Sequence, residues 1–221
     1  MAKKNKEISL SNLIKVKPIT EGQKTVFETY KQGKNQFLFG CAGTGKTFVS
    51  LYLAMQDVLS LQTKYDKVIL VRSLIPTREI GFLPGDEEDK AALYQVPYQN
   101  MVKFMFEQPN EQAFNMLYDR LKNQGSLYFL STSFLRGLTF DNSIIIVDEC
   151  QNLNFHELDT ITTRVGQDSK IIYCGDFSQT DLLKQNEKNG LHDFLRILEE
   201  MQEFNCVEFN IGDIVRSGFV K

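Results

Sequence analysis

The stretch that decides the fold is QFLFGCAGTGKT, residues 36–47, in which a short apolar run leads into a glycine-rich turn. Gly40, Gly43 and Gly45 let the backbone turn so that successive N–H groups point at the phosphates of a nucleotide. Lys46 would neutralise phosphate charge, and the Thr47 hydroxyl would offer an oxygen to Mg²⁺. The sequence therefore predicts a phosphate loop (P-loop) whose nucleotide-binding residues are Gly40, Ala42, Gly43, Thr44, Gly45, Lys46 and Thr47.

Apolar and β-branched runs recur along the chain, with helical patterns between most of them. After the P-loop, apolar residues fall at i, i+3, i+4 and i+7, the spacing of a helix that packs one face on a sheet. This alternation predicts an α/β fold with a mostly parallel sheet. The predicted strands are 36–40, 67–72, 126–131, 143–148, 170–175 and 206–210, and the predicted helices include 21–31, 91–106 and 111–121, with a loop at 81–90.

Two adjacent acids follow the most apolar of these runs, in SIIIVDEC at 143–150. Asp148 would hold Mg²⁺ through water at the end of the strand, and Glu149 would polarise the attacking water as a general base. On its own the pair also fits a strand end followed by a solvated helix start. Together with the P-loop upstream, the pair favours hydrolysis over phosphoryl transfer to another acceptor.

A third run ends in IIYCGDFSQTD, residues 171–181. Its strand would bring Asp176 and Gln179 to the carboxyl edge of the sheet, where ligands of open α/β sheets bind. Gln179 could then hydrogen-bond the γ-phosphate. The alternative for Gln179 is an ordinary polar turn residue, because Gly, Asp and Ser form turns readily.

Composition and charge limit the other possibilities. The chain has 221 residues, 42% hydrophobic and 24% charged, which is typical of a soluble globular protein with one core. We expect a basic N-terminal tail over 1–16 and a single domain over 17–221. No apolar run is long enough for a membrane span and no signal-peptide core is visible, so we expect a cytoplasmic protein without membrane contact. The net charge of −3 argues against a surface dominated by nucleic-acid contacts but allows a local basic channel.

Beyond these residues, the chain resembles the PhoH-like family of P-loop ATPases, which is related to the N-terminal motor domain of superfamily 1 helicases. The resemblance covers most of 17–217 and implies a P-loop NTPase fold, a RecA-like three-layer α/β/α arrangement with a mostly parallel sheet. The segments that carry it are GCAGTGKT (40–47), LVRSLIPTREIGFLPGD (70–86), FLRGLTFDNSIIIVDECQN (134–152), SKIIYCGDFSQTDL (169–182) and IGDIVRS (211–217). The GFLPGD and DECQN segments are more specific than the P-loop alone.

This resemblance implies roles for residues that spacing alone does not explain. Gln23 would read adenine, so that the nucleotide is ATP, although a surface glutamine is the alternative. Arg216 would approach the γ-phosphate and stabilise its developing charge, as a catalytic residue beside Glu149, Lys46 and Gln179. Single-stranded nucleic acid would contact residues on segments that do so in related motors, with ion pairs and packing as the alternative. These residues are Arg72, Arg78, Phe134 and Arg136.

The resemblance also implies an assembly, because related two-lobed motors close the ATP site between their lobes. We expect a cyclic homo-oligomer, with six copies as the expected number, in which Arg216 acts in trans on a neighbour's nucleotide. The leading hypothesis is a Mg²⁺-dependent ATPase acting on single-stranded RNA or DNA. The alternative is a regulator that binds ATP and assembles without useful turnover. A small-molecule kinase is disfavoured by the paired acids.

Overall fold

The computed structural model describes residues 7–73, 87–135, 137–176 and 185–216 of the chain. Strands and helices alternate, as predicted. The strands are β1 (Asn35–Gly40), β2 (Lys67–Arg72), β3 (Leu127–Ser131), β4 (Ser143–Val147), β5 (Lys170–Gly175) and β6 (Phe204–Phe209). The helices are α1 (Glu21–Tyr30), α2 (Lys46–Leu59), α3 (Glu87–Phe106), α4 (Glu111–Asn123), α5 (Phe155–Thr162) and α6 (Gln185–Glu200).

The six strands form one sheet in the order β3-β2-β4-β5-β1-β6. Every adjacent pair is parallel, so the carboxyl ends of all strands lie at the same edge. The loops that follow β1, β2, β4 and β5 therefore meet there, which is where open α/β sheets bind their ligands.

Alternate residues of β4 show that both faces of the sheet are covered. Ile144 and Ile146 are buried with the apolar face of α2, whereas Ile145 and Val147 are buried on the other face with residues of α5 and α6. A strand buried on both faces reads as a continuous apolar run, which is the pattern of SIIIV. The predicted three-layer α/β/α fold with a parallel sheet is confirmed.

Two boundaries differ from the sequence prediction. Helix α3 begins at Glu87, inside the predicted loop. Ile8 and Leu13, which we assigned to the tail, are 5% and 8% exposed and pack on the core. Among the described residues, none of the helices has the length and apolar character needed to cross a membrane.

Candidate nucleotide site

The P-loop leaves β1 at Gly40 and lies against the end of β6. Gly40 has a φ of 111°, and a side chain at this position would overlap the carbonyl oxygen of Phe209. That carbonyl accepts a hydrogen bond of 2.9 Å from the backbone N–H of Cys41. Glycine is required at position 40 because two backbones approach closely there, in addition to any approach of phosphate.

Lys46 begins α2 and is only 8% exposed. Its ammonium group donates hydrogen bonds to the carbonyl oxygens of Gly40, at 2.8 Å, and Cys41, at 2.6 Å. Burial lowers the pKa of Lys46, and the negative charges of Asp176 and Glu149 offset part of that effect. A buried ammonium held among carbonyl oxygens is electrostatically suited to a phosphate, which would supply the missing opposite charge.

Asp148 links the P-loop to the end of β4. Its Oδ1 accepts a hydrogen bond of 2.6 Å from the Thr47 hydroxyl, and its Oδ2 accepts one of 2.7 Å from the hydroxyl of Tyr98 on α3. Burial raises the pKa of the Tyr98 phenol and the charge of Asp148 adds to the effect, so Tyr98 acts as a donor. Sequence analysis missed Tyr98, because nothing in the pattern of α3 marks a tyrosine that faces a carboxylate fifty residues away.

The Thr47 and Asp148 oxygens fit Mg²⁺. This ion commonly takes one or two protein oxygens and fills its remaining positions with water and substrate phosphates. Groups of three or more His, Cys, Asp or Glu side chains that could hold a metal do not occur in the described part of the chain. The site therefore suits an ion shared with a nucleotide better than one caged by protein.

Glu149 lies directly after Asp148 in a left-handed backbone conformation with φ of 52° and ψ of 42°. Such a conformation costs about 1–3 kcal/mol for a residue other than glycine and tends to occur at functional sites. Its Oε2 accepts a hydrogen bond of 2.6 Å from the side-chain amide of Gln151. Sequence analysis quoted Gln151 in the DECQN segment but assigned it no role.

Arg72, predicted to contact nucleic acid, lines the same cavity as Asp148 and Glu149. Its guanidinium lies 5.4 Å from the ring centre of Tyr94 and hydrogen-bonds Tyr98. Burial works against its charge, but Tyr98, Asp148 and Glu149 outweigh burial and raise the pKa of Arg72. The contact of Arg72 with nucleic acid stays a prediction.

Gln23, the predicted adenine contact, lies beneath the P-loop, and its role in reading adenine stays a prediction. It is 6% exposed and does not line the cavity. Its Nε2 donates to the carbonyl oxygen of Thr44 at 3.0 Å, and its Oε1 accepts from the backbone N–H of Ile19 at 3.0 Å. In the structure, the side-chain amide of Gln23 therefore links the P-loop to the backbone just before α1.

Arg216 lies at the cavity of its own chain, within a segment, residues 210–216, that we call the strap. A side chain at Gly43, which has a φ of 75°, would come within 3.2 Å of Cδ of Arg216. The strap is anchored by Asp213, whose Oδ1 accepts from the backbone N–H of Gly22 at 2.8 Å. The strap, which follows β6, thus brings Arg216 to the P-loop of the same chain, and its action in trans stays a prediction.

Three predicted site residues, Gln179, Arg78 and Arg136, lie outside the described residues. Phe134, the remaining predicted nucleic-acid contact, is 57% exposed in a short helical turn after β3. Its neighbours Thr132 and Ser133 line a second cavity of about 320 Å³ together with His156.

The first cavity, of about 360 Å³, is formed by the P-loop, the ends of β2, β4 and β5, helix α3 and the strap. From α3 come Pro97 and Met101, which sequence analysis did not single out. The site thus combines a phosphate cradle, a hydroxyl–carboxylate pair suited to Mg²⁺, a second acid and two arginines. Together with the fold, it defines the chain as a P-loop NTPase.

The chain belongs to the PhoH-like protein family, whose sequence profile matches residues 15–221. It is 34% identical over 186 residues to a PhoH-like protein of Synechocystis, covering 84% of this chain and 54% of that protein. A PhoH-like protein of Bacillus subtilis is 31% identical over 202 residues, covering 91% of this chain and 60% of the relative. The chain thus spans between half and two thirds of the length of these relatives, and the resemblance seen in the sequence is confirmed.

A solved structure shares the fold. The large terminase of a thermophilic bacteriophage, in complex with ADP, superposes with a TM-score of 0.50 and 13% identity. The match covers 92% of this chain and 48% of the terminase. At this identity, the similarity supports the α/β P-loop architecture and no more.

Proposed function

We propose that this chain is a Mg²⁺-dependent ATPase that transfers the γ-phosphoryl group of ATP to water. The observation that carries the proposal is the 2.6 Å hydrogen bond between Thr47 and Asp148, because it places the hydroxyl and the carboxylate at one point beside Lys46. Glu149 borders the same cavity.

In the proposed reaction, Glu149 accepts a proton from water as the water oxygen bonds to the γ-phosphorus. The bond from that phosphorus to the bridging oxygen breaks, and ADP leaves with the electron pair. Lys46 and Arg216 stabilise the charge on the phosphoryl oxygens, and Thr47 and Asp148 hold Mg²⁺. When bound, Mg²⁺ neutralises charge on the β- and γ-phosphates.

The proposal is tested by phosphate release from ATP with Mg²⁺, comparing wild type with Glu149→Gln and Lys46→Met. We expect Glu149→Gln to bind a fluorescent ATP analogue like wild type and to lose at least about 100-fold in kcat. Lys46→Met should lose analogue binding, because it removes the charge that faces the phosphates. Tight binding in wild type with no turnover above that of Glu149→Gln would instead support the ATP-binding regulator.

We further infer that single-stranded RNA or DNA binds at the carboxyl edge of the sheet, beyond β3. An exposed aromatic ring such as Phe134 is a suitable surface on which a base stacks, worth about 1–3 kcal/mol. The test is ATP turnover with and without single-stranded RNA and DNA, in wild type and Phe134→Ala. Leu61→Ala is the control, since Leu61 is 64% exposed beyond the far end of α2. Stimulation that Phe134→Ala leaves unchanged would contradict this inference.

The predicted cyclic homo-oligomer of six copies stays a prediction. Its original reason was an arginine that needed a neighbour, and the strap supplies Arg216 to the cavity of its own chain. Light scattering with and without a non-hydrolysable ATP analogue and Mg²⁺ tests the assembly. A single species with the mass of one chain under both conditions would contradict it.

A further inference from the structure

Gln151 joins two parts of the site through the two ends of its side-chain amide. Its Nε2 donates a hydrogen bond of 2.6 Å to Oε2 of Glu149, and its Oε1 accepts one of 3.1 Å from the backbone N–H of Asp176. The residue is 6% exposed, so both hydrogen bonds are largely shielded from water. We propose that Gln151 is a positioning residue for ATP hydrolysis, which holds the carboxylate of Glu149 in place against the end of β5.

The orientation of the amide follows from its partners. A backbone N–H can only donate, so the group that faces Asp176 must be the amide oxygen. The amide nitrogen then faces Glu149 and donates to its carboxylate oxygen. Each end of Gln151 is matched to its partner, and no other orientation satisfies both.

The local backbone explains why Glu149 needs such support. Residues Cys150–Asn152 form a single short helical turn, and Glu149 precedes it in the left-handed conformation. This turn brings the side chain of residue 151 back beside residue 149. A glutamate side chain has three rotatable bonds, and an exposed one adopts many rotamers, so a second contact is needed to keep a base within reach of an attacking water.

The other hydrogen-bond partner of Gln151 is Asp176, at the end of β5. Asp176 is 7% exposed and follows β5 directly. A shift of this strand end would therefore be transmitted through the amide of Gln151 to the carboxylate of Glu149. This inference rests on the proposed function, since it assigns Gln151 a part in the same hydrolysis.

Two substitutions separate the two hydrogen bonds. Gln151→Glu keeps an oxygen to accept from Asp176 but replaces the donor that faces Glu149 with a second negative oxygen. Gln151→Met keeps the length of the side chain and removes both hydrogen bonds without adding charge. Asn152→Asp is the matched control for Gln151→Glu, because it makes the same amide-to-acid change at the exposed neighbouring position.

The experiment measures kcat at saturating ATP, the Kd of a fluorescent non-hydrolysable ATP analogue and the midpoint of thermal unfolding for each protein. We expect both Gln151 variants to lose about 10- to 100-fold in kcat, the effect of a misplaced catalytic group. Gln151→Met should keep the Kd within about twofold, the pattern of an interaction that acts in the chemical step. Asn152→Asp should match wild type.

Each outcome decides the inference. If Gln151→Glu turns over ATP as fast as wild type, the amide only ties β5 in place and the proposal is wrong. If Gln151→Met loses affinity and kcat together, its role is in binding and the proposal is also wrong. Should Gln151→Met fail to fold, Gln151→Glu alone decides. If wild type does not exceed Glu149→Gln, the proposed ATPase function fails instead.

Discussion

The backbone N–H of Val215 donates a hydrogen bond of 3.1 Å to the carbonyl oxygen of Gly43 in the P-loop. This contact fixes the strap across the loop one residue before Arg216. The strap is tied to α1 as well, because Asp213 accepts from the N–H of Gly22. Burial alone would raise the pKa of Asp213, but hydrogen bonds from Asn210, Gly22 and Thr20 outweigh burial and lower that pKa, so its charge persists in mildly acidic solution.

Because the strap places Arg216 at the cavity of its own chain, we expect Arg216 to act on the nucleotide bound in that chain. We expect Arg216→Ala to lose about 10³-fold in kcat, the lower range for an arginine that stabilises phosphoryl transfer. A mixture of Arg216→Ala with Glu149→Gln should then show no more turnover than the sum of the separate proteins. If turnover is recovered on mixing, each intact arginine is reaching the intact site of a neighbour, which would restore the prediction in trans.

The hydrogen bond of Tyr98 connects α3 to Asp148 at the proposed Mg²⁺ site, so we expect its loss to affect both stability and Mg²⁺ binding. Tyr98→Phe removes the hydroxyl that donates to Oδ2 of Asp148, and a hydrogen bond to a charged group is worth about 1.5–3 kcal/mol. We expect an unfolding free energy lower by about that amount. We also expect a higher Mg²⁺ concentration for half-maximal turnover, since Asp148 loses a fixed orientation. Denaturant unfolding and a Mg²⁺ titration measure the two effects.

Helix α3 offers a matched control. The hydroxyl of Tyr94, one turn before Tyr98, is buried and has no hydrogen-bond partner among the described residues. Tyr94→Phe removes a hydroxyl that gave up its hydrogen bonds to water on folding and gained none from the described residues. We therefore expect unchanged or slightly higher stability. If Tyr94→Phe and Tyr98→Phe behave alike, the hydrogen bond to Asp148 contributes nothing specific.

We expect substitution of Gln23 to weaken the binding of ATP and of GTP equally. Because its amide holds the Thr44 carbonyl and the Ile19 N–H, we expect Gln23→Ala to weaken binding by loosening the P-loop. The Kd for ATP and for GTP should rise by the same factor, about 5- to 20-fold for the loss of one or two buried hydrogen bonds. A loss confined to ATP would show that Gln23 contacts adenine after all.

The buried side chain of Lys170 leads us to expect that the free energy of unfolding increases with pH. Its ammonium lies 3.8 Å from the ring centre of Tyr30 and is 2% exposed, and this burial lowers the pKa of Lys170 to about 8. The unfolded value is about 10.4, so between pH 8 and 10 the unfolded chain binds more protons and the unfolding free energy increases with pH. Above about pH 10 the unfolded tyrosines ionise first and this trend reverses.

Lys170→Met should therefore raise the unfolding free energy at pH 7, by up to about 3 kcal/mol, since one pKa unit corresponds to about 1.4 kcal/mol. It should also flatten the dependence between pH 7.5 and 9.5, which chemical denaturation at several pH values would show. Lys24→Met is the control, because Lys24 is an exposed lysine whose side chain is 54% accessible. An unchanged slope in Lys170→Met would assign the pH dependence to other groups.

The sequence predicted what depends on local pattern. The apolar runs at β1, β2, β4 and β5 and the glycine spacing of the P-loop are local signals, and the structure agrees with them within a residue or two. The roles of Tyr98 and Gln151 depend on contacts made only after folding. Arg72 and Gln23 were assigned by resemblance, but a family segment fixes a position on an element without fixing the partner of its side chain.

The close approach of Gly40 and Phe209 has a consequence for local unfolding. Among the described strands, β6 is at the edge of the sheet and pairs with β1 alone, and the carbonyl of its last residue accepts a hydrogen bond from the N–H of Cys41. Fraying of this edge would expose the amide of Cys41 to solvent exchange, so protection of the first turn of the P-loop cannot exceed the stability of β6. A nucleotide bound at the P-loop would in turn slow the hydrogen exchange of the β6 amides. Exchange in this edge strand, which is remote in sequence from the P-loop, would therefore show whether a nucleotide is bound.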